Sequence, residues 1–315
     1  MNLSSIFSAM IQLFLILIVG WVGHKTKVFP AETQTALTKL VVYITTPCTI
    51  LYSVLNNSSL PGIGVMVELL LISSACYIAV AALSLLAVKL MRIRPGSQGA
   101  YVCMLLFTNC GFIGFPVVQA IFGADAVFYA SILNIPFYPC LYTLGVYLLS
   151  KDAADRGLGQ AEIALSWRTF VSPCMVASVA AVVLALTGLK FPAVLTNTIG
   201  TIGNITTPGA LLVIGISIAK QPLREMLGSA KIYLMSALRL IVLPVLIWFV
   251  LHFFLRDQTI LGVIVVTFAM PTATMVSMLA DEYGSDQRAA VQGVFLTTLF
   301  SMVTIPLLMA ALMAG

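Results

Sequence analysis

Charged side chains are scarce in these 315 residues, 9% of the total against 60% hydrophobic, and the mean hydropathy is +1.07. A soluble domain carries about 25% charged residues, so a protein surrounded by water on every side is excluded. No segment between the apolar runs is long enough for a soluble domain. No H-E-x-x-H, no G-x-S-x-G and no pair of carboxylates at mid-span occurs, which argues against an intramembrane enzyme. Histidine is limited to His24 and His252, at opposite span ends, where an interfacial position explains them better than metal ligation. The six cysteines, Cys48, Cys76, Cys103, Cys110, Cys140 and Cys174, lie in apolar runs and form no C-x-x-C pair. They read as small buried hydrophobes. Neither a metal nor an organic cofactor is expected. The net charge of +5 reflects membrane orientation rather than a nucleic-acid surface.

What the chain has in abundance is apolar runs of the roughly 20 residues needed to cross a hydrocarbon core. They fall at about 5–24, 34–56, 63–91, 98–122, 125–150, 169–189, 193–219, 227–254, 258–281 and 286–313, ten spans in all. Turn-forming pairs separate them: Phe29-Pro30, Pro61-Gly62, Pro95-Gly96, Gly123-Ala124, Phe191-Pro192 and Gln221-Pro222. The first run has no basic residues ahead of it and no small-residue cleavage pattern after it, so it is expected to remain as a helix. Thirteen of the 16 basic residues collect on one side: Lys25, Lys27, Lys39, Lys89, Arg92, Arg94, Lys151, Arg156, Arg168, Lys220, Arg224, Lys231 and Arg288. The other side holds Lys190 and Arg256, and Arg239 lies within the eighth span. The positive-inside rule puts the thirteen in the cytoplasm and both termini outside, in a multi-pass protein of the cell membrane.

The two halves share a pattern. Ile44-Thr45-Thr46-Pro47 recurs as Ile205-Thr206-Thr207-Pro208, an offset of 161 residues. At that offset Phe107 matches Phe268, Gly123 matches Gly284 and Asp125 matches Asp286; with a slip of one, Phe29-Pro30 matches Phe191-Pro192. The expected organisation is a first five-helix repeat over 1–150, a short cytoplasmic linker at 151–168 and a second repeat over 169–315. Five is odd, so the second repeat inserts upside down, the recurring build of secondary transporters.

Two spans carry breaks. The fourth reads Thr108-Asn109-Cys110-Gly111-Phe112-Ile113-Gly114-Phe115-Pro116, and Pro116 cannot donate to the carbonyl of Phe112. The ninth reads Ala269-Met270-Pro271-Thr272-Ala273-Thr274, where Pro271 frees the carbonyl of Thr267. Backbone freed at mid-membrane depth must be satisfied by protein or by a water-filled cavity. Paired breaks at related positions of two halves point to a binding site. Kinks at Pro47, Pro208, Pro244 and Pro306 are read as packing features. New half-helices are expected near Phe115 and Thr272, with their free N–H groups aimed into the cavity. Gly111 and Gly114 are expected to allow close backbone approach at the crossing.

The string Asn109-x-Gly111-Phe112-x-Gly114-x-Pro116, followed by Phe122-Gly123, resembles the fourth-helix signature of the auxin efflux carrier family. Met270-Pro271-Thr272-Ala273, Leu279-Ala280, Tyr283-Gly284 and Asp286 resemble it too, as do Thr297-Thr298, Ser301 and Pro306. The resemblance covers essentially the whole chain. It implies a bile-acid-symporter-like fold in which helices 1, 2, 6 and 7 form a scaffold. Helices 3–5 and 8–10 would move against it, with helices 4 and 9 crossing at their breaks. It implies substrates such as auxin, malate or malonate, and a homodimer through the scaffold. The fifth-to-sixth loop, long in many plant carriers, is short here, and Thr272 stands where the plant proteins have glutamine.

The residues expected at the substrate site are therefore Asn109, Gly111, Gly114, Pro116, Pro271, Thr272 and Thr274. Asn134, close to Pro136 and Pro139 in the fifth span, is a further candidate whose alternative role is helix packing. Arg239 either acts on an anionic substrate or snorkels and bonds freed carbonyls; an arginine at mid-helix costs about 2.5–3.5 kcal/mol to insert. Glu68, a turn inside the third span, is read as an interfacial carboxylate or a coupling group. Asp281, Glu282 and Asp286 are read as a solvated cap. The expected function is carriage of a small organic anion by alternating access, with proton or sodium coupling left open. A sodium symporter of the bile-acid type is the alternative, and a sensor or channel is the alternative of another class.

Overall fold

The computed structural model describes residues 3–30, 32–57, 61–158, 173–220, 227 and 229–313. Among them every regular element is a helix, and two residues, Thr108 and Thr272, form an isolated antiparallel bridge. The helices are α1 (Leu3–Lys25), α2 (Thr33–Leu55), α3 (Ile63–Leu90), α4 (Gln98–Leu106), α5 (Cys110–Phe122), α6 (Ala126–Asp155), α7 (Pro173–Thr187), α8 (Ala193–Lys220), α9 (Ala230–Leu251), α10 (Gln258–Ala269), α11 (Thr274–Glu282) and α12 (Gln287–Met313). Six of them, α2, α3, α6, α8, α9 and α12, are long and apolar enough to cross a membrane; α5, α7 and α10 are apolar and shorter. The expected turn at Gln221-Pro222 and most of the linker at 159–168, with Arg168 and Arg224, lie outside the described residues.

The distribution of side chains is that of a bundle in lipid. Ile78, Leu90, Phe253 and Val303 are exposed on the outside, while Thr45, Ser73, Asn134 and Arg239 are buried. With lipid tails as apolar as leucine, helices associate through close packing and internal polar contacts. Both devices hold α1 and α2 against α8. Gly20 lets α1 approach so closely that a Cβ there would lie 2.6 Å from the Leu212 carbonyl oxygen, and one at Gly215 would overlap the Leu17 carbonyl oxygen. The Thr49 hydroxyl lies 2.8 Å from the Gly203 carbonyl oxygen and 2.7 Å from the Thr206 hydroxyl. The two copies of the Ile-Thr-Thr-Pro string thus lie on helices that meet.

Prolines shape the long helices without ending them. In α2, α5 and α9 a wide π turn precedes the proline: Val41–Thr45 before Pro47, Cys110–Gly114 before Pro116, Leu238–Val242 before Pro244. A proline ring clashes with the carbonyl four residues back and offers it no N–H. Widening that turn to an i→i−5 bond, as from Thr46 N–H to the Val41 carbonyl, moves the carbonyl aside and keeps the ladder running. Pro306 sits inside α12 without interrupting it.

The first break differs from the sequence expectation. It lies at Phe107–Asn109, before Pro116, and the helix resumes at Cys110 rather than near Phe115. The π turn absorbs the distortion Pro116 imposes; the chain breaks instead where Phe107 adopts extended angles, φ −96° and ψ 121°.

Candidate functional site

The two breaks meet. Asn109 N–H donates to the Pro271 carbonyl at 2.8 Å, and Ala273 N–H donates to the Phe107 carbonyl at 2.9 Å. This short antiparallel pairing gives each interrupted strand of backbone the partner that its own helix withholds. Thr272 locks it from the side. Its hydroxyl donates to the Met104 carbonyl at 2.9 Å, and its N–H donates to the Thr297 hydroxyl oxygen at 3.1 Å. Thr297 in turn donates to the Gly293 carbonyl at 2.7 Å, which ties the crossing to α12.

Beside the crossing lies a cavity of about 440 Å³. Its floor is the stretch Thr108–Phe112 together with Ala273, Thr274 and Met275; its walls come from α2, α6, α7, α8 and α12. Polar groups from these walls include Thr46, Asn134, Ser217 and Thr298. Among the described residues no Asp, Glu, Lys, Arg or His lines it. Any charge entering this cavity would therefore be met by dipoles rather than by charged side chains.

The donors for that are in place. The N–H groups of Gly111, Thr274 and Met275 make no hydrogen bond among the described residues, and all three residues line the cavity. They stand in the first turns of α5 and α11, where unbonded N–H groups carry the positive end of the helix dipole. Asn109 is 3% exposed; its Oδ1 accepts from Phe112 N–H at 3.3 Å, while its Nδ2 has no partner. Asn134 is 4% exposed, and its Oδ1 has no partner. Two buried amides with open polar atoms beside free helix N–H groups make a site suited to a small anion with both acceptor and donor atoms.

The structure brings Asn109, Gly111, Asn134 and Thr274 together on this cavity and leaves the other expected residues off its lining. Thr272 is fully buried, and both its hydroxyl and its N–H are bonded to protein, so it frames the site rather than facing a ligand. Pro271 contributes its carbonyl to the crossing, and Pro116 is buried in the first turns of α5. Gly114 does allow a close approach, since a Cβ there would lie 3.3 Å from Met270 Cγ. Gly111 differs from expectation: open space surrounds it, because it borders the cavity instead of the crossing backbone. Glu68 is exposed on α3, away from the cavity. Arg239 is fully buried in the π turn of α9, and its Nη1 donates to the Leu105 carbonyl at 3.2 Å.

Sequence reasoning missed Thr46, Ser217 and Thr298 as wall residues. Thr46 had a signal, since it lies in the repeated Ile-Thr-Thr-Pro string, and Thr298 belongs to a string quoted for the family resemblance. Asp152 was also missed. It is buried, and its carboxylate accepts from Gly99 N–H, Ala100 N–H and the Ser285 hydroxyl, so it caps the N-terminus of α4 from α6. Asp286 is engaged rather than merely solvated: it accepts from the Ser97 hydroxyl and from Ala289 N–H.

Residues 5–309 match the family model described as membrane transport protein. An uncharacterized transporter of Methanocaldococcus jannaschii is 24% identical over 300 residues, 93% of this chain and 95% of its own length. One from Methanothermobacter thermautotrophicus is 25% identical over 305 residues, 94% of this chain and 95% of its own. One from Escherichia coli is 23% identical over 303 residues, 95% of each chain.

Proposed function

Because the chain belongs to the membrane transport protein family, the auxin efflux carriers, we propose that it carries a small organic anion through the cavity at the crossed breaks. Membership makes it a transporter in a membrane. The observation that carries the substrate class is the set of free N–H groups of Gly111, Thr274 and Met275 beside the open amide of Asn109, in a cavity lined by no charged side chain. A carboxylate held by helix ends and neutral amides needs no formal cation in contact with it. The cavity volume, about 440 Å³, fits a mono- or dicarboxylate of metabolite size, auxin, malate and malonate among them.

The ten-span arrangement of two inverted repeats, 1–150 and 169–315, is part of the same proposal. Support comes from the meeting of the two Ile-Thr-Thr-Pro copies and from the mutual pairing of the two breaks. The tight glycine contacts of α1 with α8 suit a rigid scaffold, against which the crossing would move in an elevator-like step. From the crossing the cavity runs to Gln34 and Thr38 on α2 and to Met278 on α11. That is the end of the bundle carrying Lys25, Lys27 and Lys39, so on the charge reading this is the cytoplasm-facing state.

Uptake of radiolabelled mono- and dicarboxylates into proteoliposomes tests the substrate class, with sodium and proton gradients imposed in turn. Saturable uptake of at least one carboxylate is expected; saturable uptake of only neutral or cationic solutes overturns the reading. Orientation is tested with single cysteines at Ser59 and Asp155 in a background lacking the native six. An impermeant thiol reagent added outside should label position 59 and spare position 155. The reverse pattern would invert the topology.

A further inference from the structure

Arg239 is the one fully buried cation among the described residues, and its surroundings do not resemble an ion pair. Nη1 donates to the Leu105 carbonyl, while Nε and Nη2 have no partner. No carboxylate is among its hydrogen-bond partners. A buried guanidinium without a counter-ion is strongly penalised unless something supplies negative potential. The supply here is the carboxyl end of α4. Four carbonyls at the end of an α-helix lack helical partners and carry the negative end of its dipole. Leu105 is in that last turn, and its neighbours are covered from the far half of the chain: the Met104 carbonyl by the Thr272 hydroxyl, the Phe107 carbonyl by Ala273 N–H.

In transporters built on interrupted helices, such carboxyl ends and unwound carbonyls are where a coupling cation binds. In this chain the Met104, Leu105 and Phe107 carbonyls at the end of α4 already have donors, and the donor to Leu105 is itself a cation. We infer that Arg239 is a tethered cation occupying, at the carboxyl end of α4, the place a soluble coupling cation would take. The fixed charge stabilises the broken helix in every turn of the cycle and makes sodium unnecessary there. Its position within α9 follows from the π turn Leu238–Val242, which widens the helix around residue 239 ahead of Pro244. At the 161-residue offset that relates Pro47 to Pro208 and Phe107 to Phe268, the matching position in the first half is Ile78, which is exposed and carries no charge. The neighbouring Tyr77 packs against Phe268 at the end of α10, with ring centroids 5.3 Å apart, so only one of the two carboxyl ends receives a full charge from these positions.

The core of this inference rests on geometry; its consequence for coupling rests on the carrier reading. Thermal unfolding of the purified protein tests the core without any substrate. Wild type should melt at the same temperature in sodium, potassium and N-methylglucamine chloride. Arg239→Ala should melt lower by about 5 °C or more, and about 10 mM ethylguanidinium, which refills the deleted group, should recover at least half of the loss. Arg239→Lys should lie closer to wild type than Arg239→Met. A sodium-specific rise in wild type overturns the inference. So does an Arg239→Met protein as stable as wild type, or an Arg239→Ala protein deaf to ethylguanidinium. If Arg239→Ala does not fold, the Lys and Met pair and the wild-type salt series still decide. Malonate uptake into wild-type proteoliposomes should change by less than about twofold when a sodium gradient replaces a potassium one, and a larger acceleration counts against the coupling claim. Absence of any carboxylate uptake would sink the carrier reading while leaving the melting results to stand or fall alone.

Discussion

Replacing Gly215 with valine should leave almost no folded protein. At this position α8 touches α1 backbone to backbone, and a Cβ would overlap the Leu17 carbonyl oxygen and lie 2.8 Å from Trp21 N and 3.0 Å from Gly20 Cα. Overpacking usually costs about 1–3 kcal/mol when neighbouring side chains can turn aside. Here the obstacle is main chain inside a helix, which has no rotamer to change, so the helices must separate along the whole contact. Small residues at such crossings are what allow membrane helices to associate. Gly64→Val is the matched control, since nothing lies within 4 Å of a Cβ there. The measurement is the yield of the monodisperse peak after detergent extraction. A fall of about tenfold or more is expected for Gly215→Val and none for Gly64→Val. Equal yields would mean that the α1–α8 contact is not the tight joint described.

Asn109→Asp should abolish anion binding while sparing the fold. The side chain of Asn109 has two jobs at one place. Its Oδ1 caps α5 by accepting from Phe112 N–H, and its Nδ2 is the unpartnered donor beside the cavity. Truncation to alanine removes both, so a fall in affinity would be mixed with the loss of a cap, about 0.5–2 kcal/mol. Aspartate keeps the acceptor, which now suits the helix N-terminus better, and replaces the donor with negative charge. Losing one hydrogen bond to a charged ligand costs about 1.5–3 kcal/mol, a factor of roughly 10 to 150, before the added repulsion. Binding of malonate to purified protein by calorimetry, alongside a melting curve, reads both effects. A wild-type melt with binding weakened by about 100-fold or more is the expected pair. Unchanged affinity in Asn109→Asp would place the anion elsewhere.

The elements of the bundle were legible because hydropathy and turn residues are strong signals in a membrane chain. Over the described residues the apolar runs coincide with helices to within about five residues, and both breaks were signalled by proline and glycine set among polar side chains. The exact place of the first break was not legible. Proline announces a distorted ladder, but whether the chain yields by a π turn or by opening depends on what packs alongside. At Pro116 it yields by the π turn, and the opening falls at Phe107, where the partner strand at Pro271–Ala273 supplies replacement bonds. Thr272 shows the same limit. A hydroxyl beside a proline break reads equally well as a ligand or as a lock, and only the positions of Met104 and Thr297 decide for the lock. Asp152 was hidden for a different reason: it sits in a segment that reads as a cytoplasmic loop, and its partners at Gly99, Ala100 and Ser285 come from distant parts of the chain.

The capping of α4 also sets an order of events during synthesis. The Leu105 carbonyl waits for a residue 134 positions later, and the Met104 carbonyl for one 168 positions later. At the usual pace of translation, 5–20 residues per second, that delay is on the order of ten seconds. Through it the nascent first half holds a broken helix whose end has no partner, in an environment where water is not freely available to substitute. The first half is therefore completed by the second as much as joined to it. A chain released near residue 168 should be recognised as unfinished and degraded, rather than persisting as a stable half-bundle that could later pair with a separately made second half.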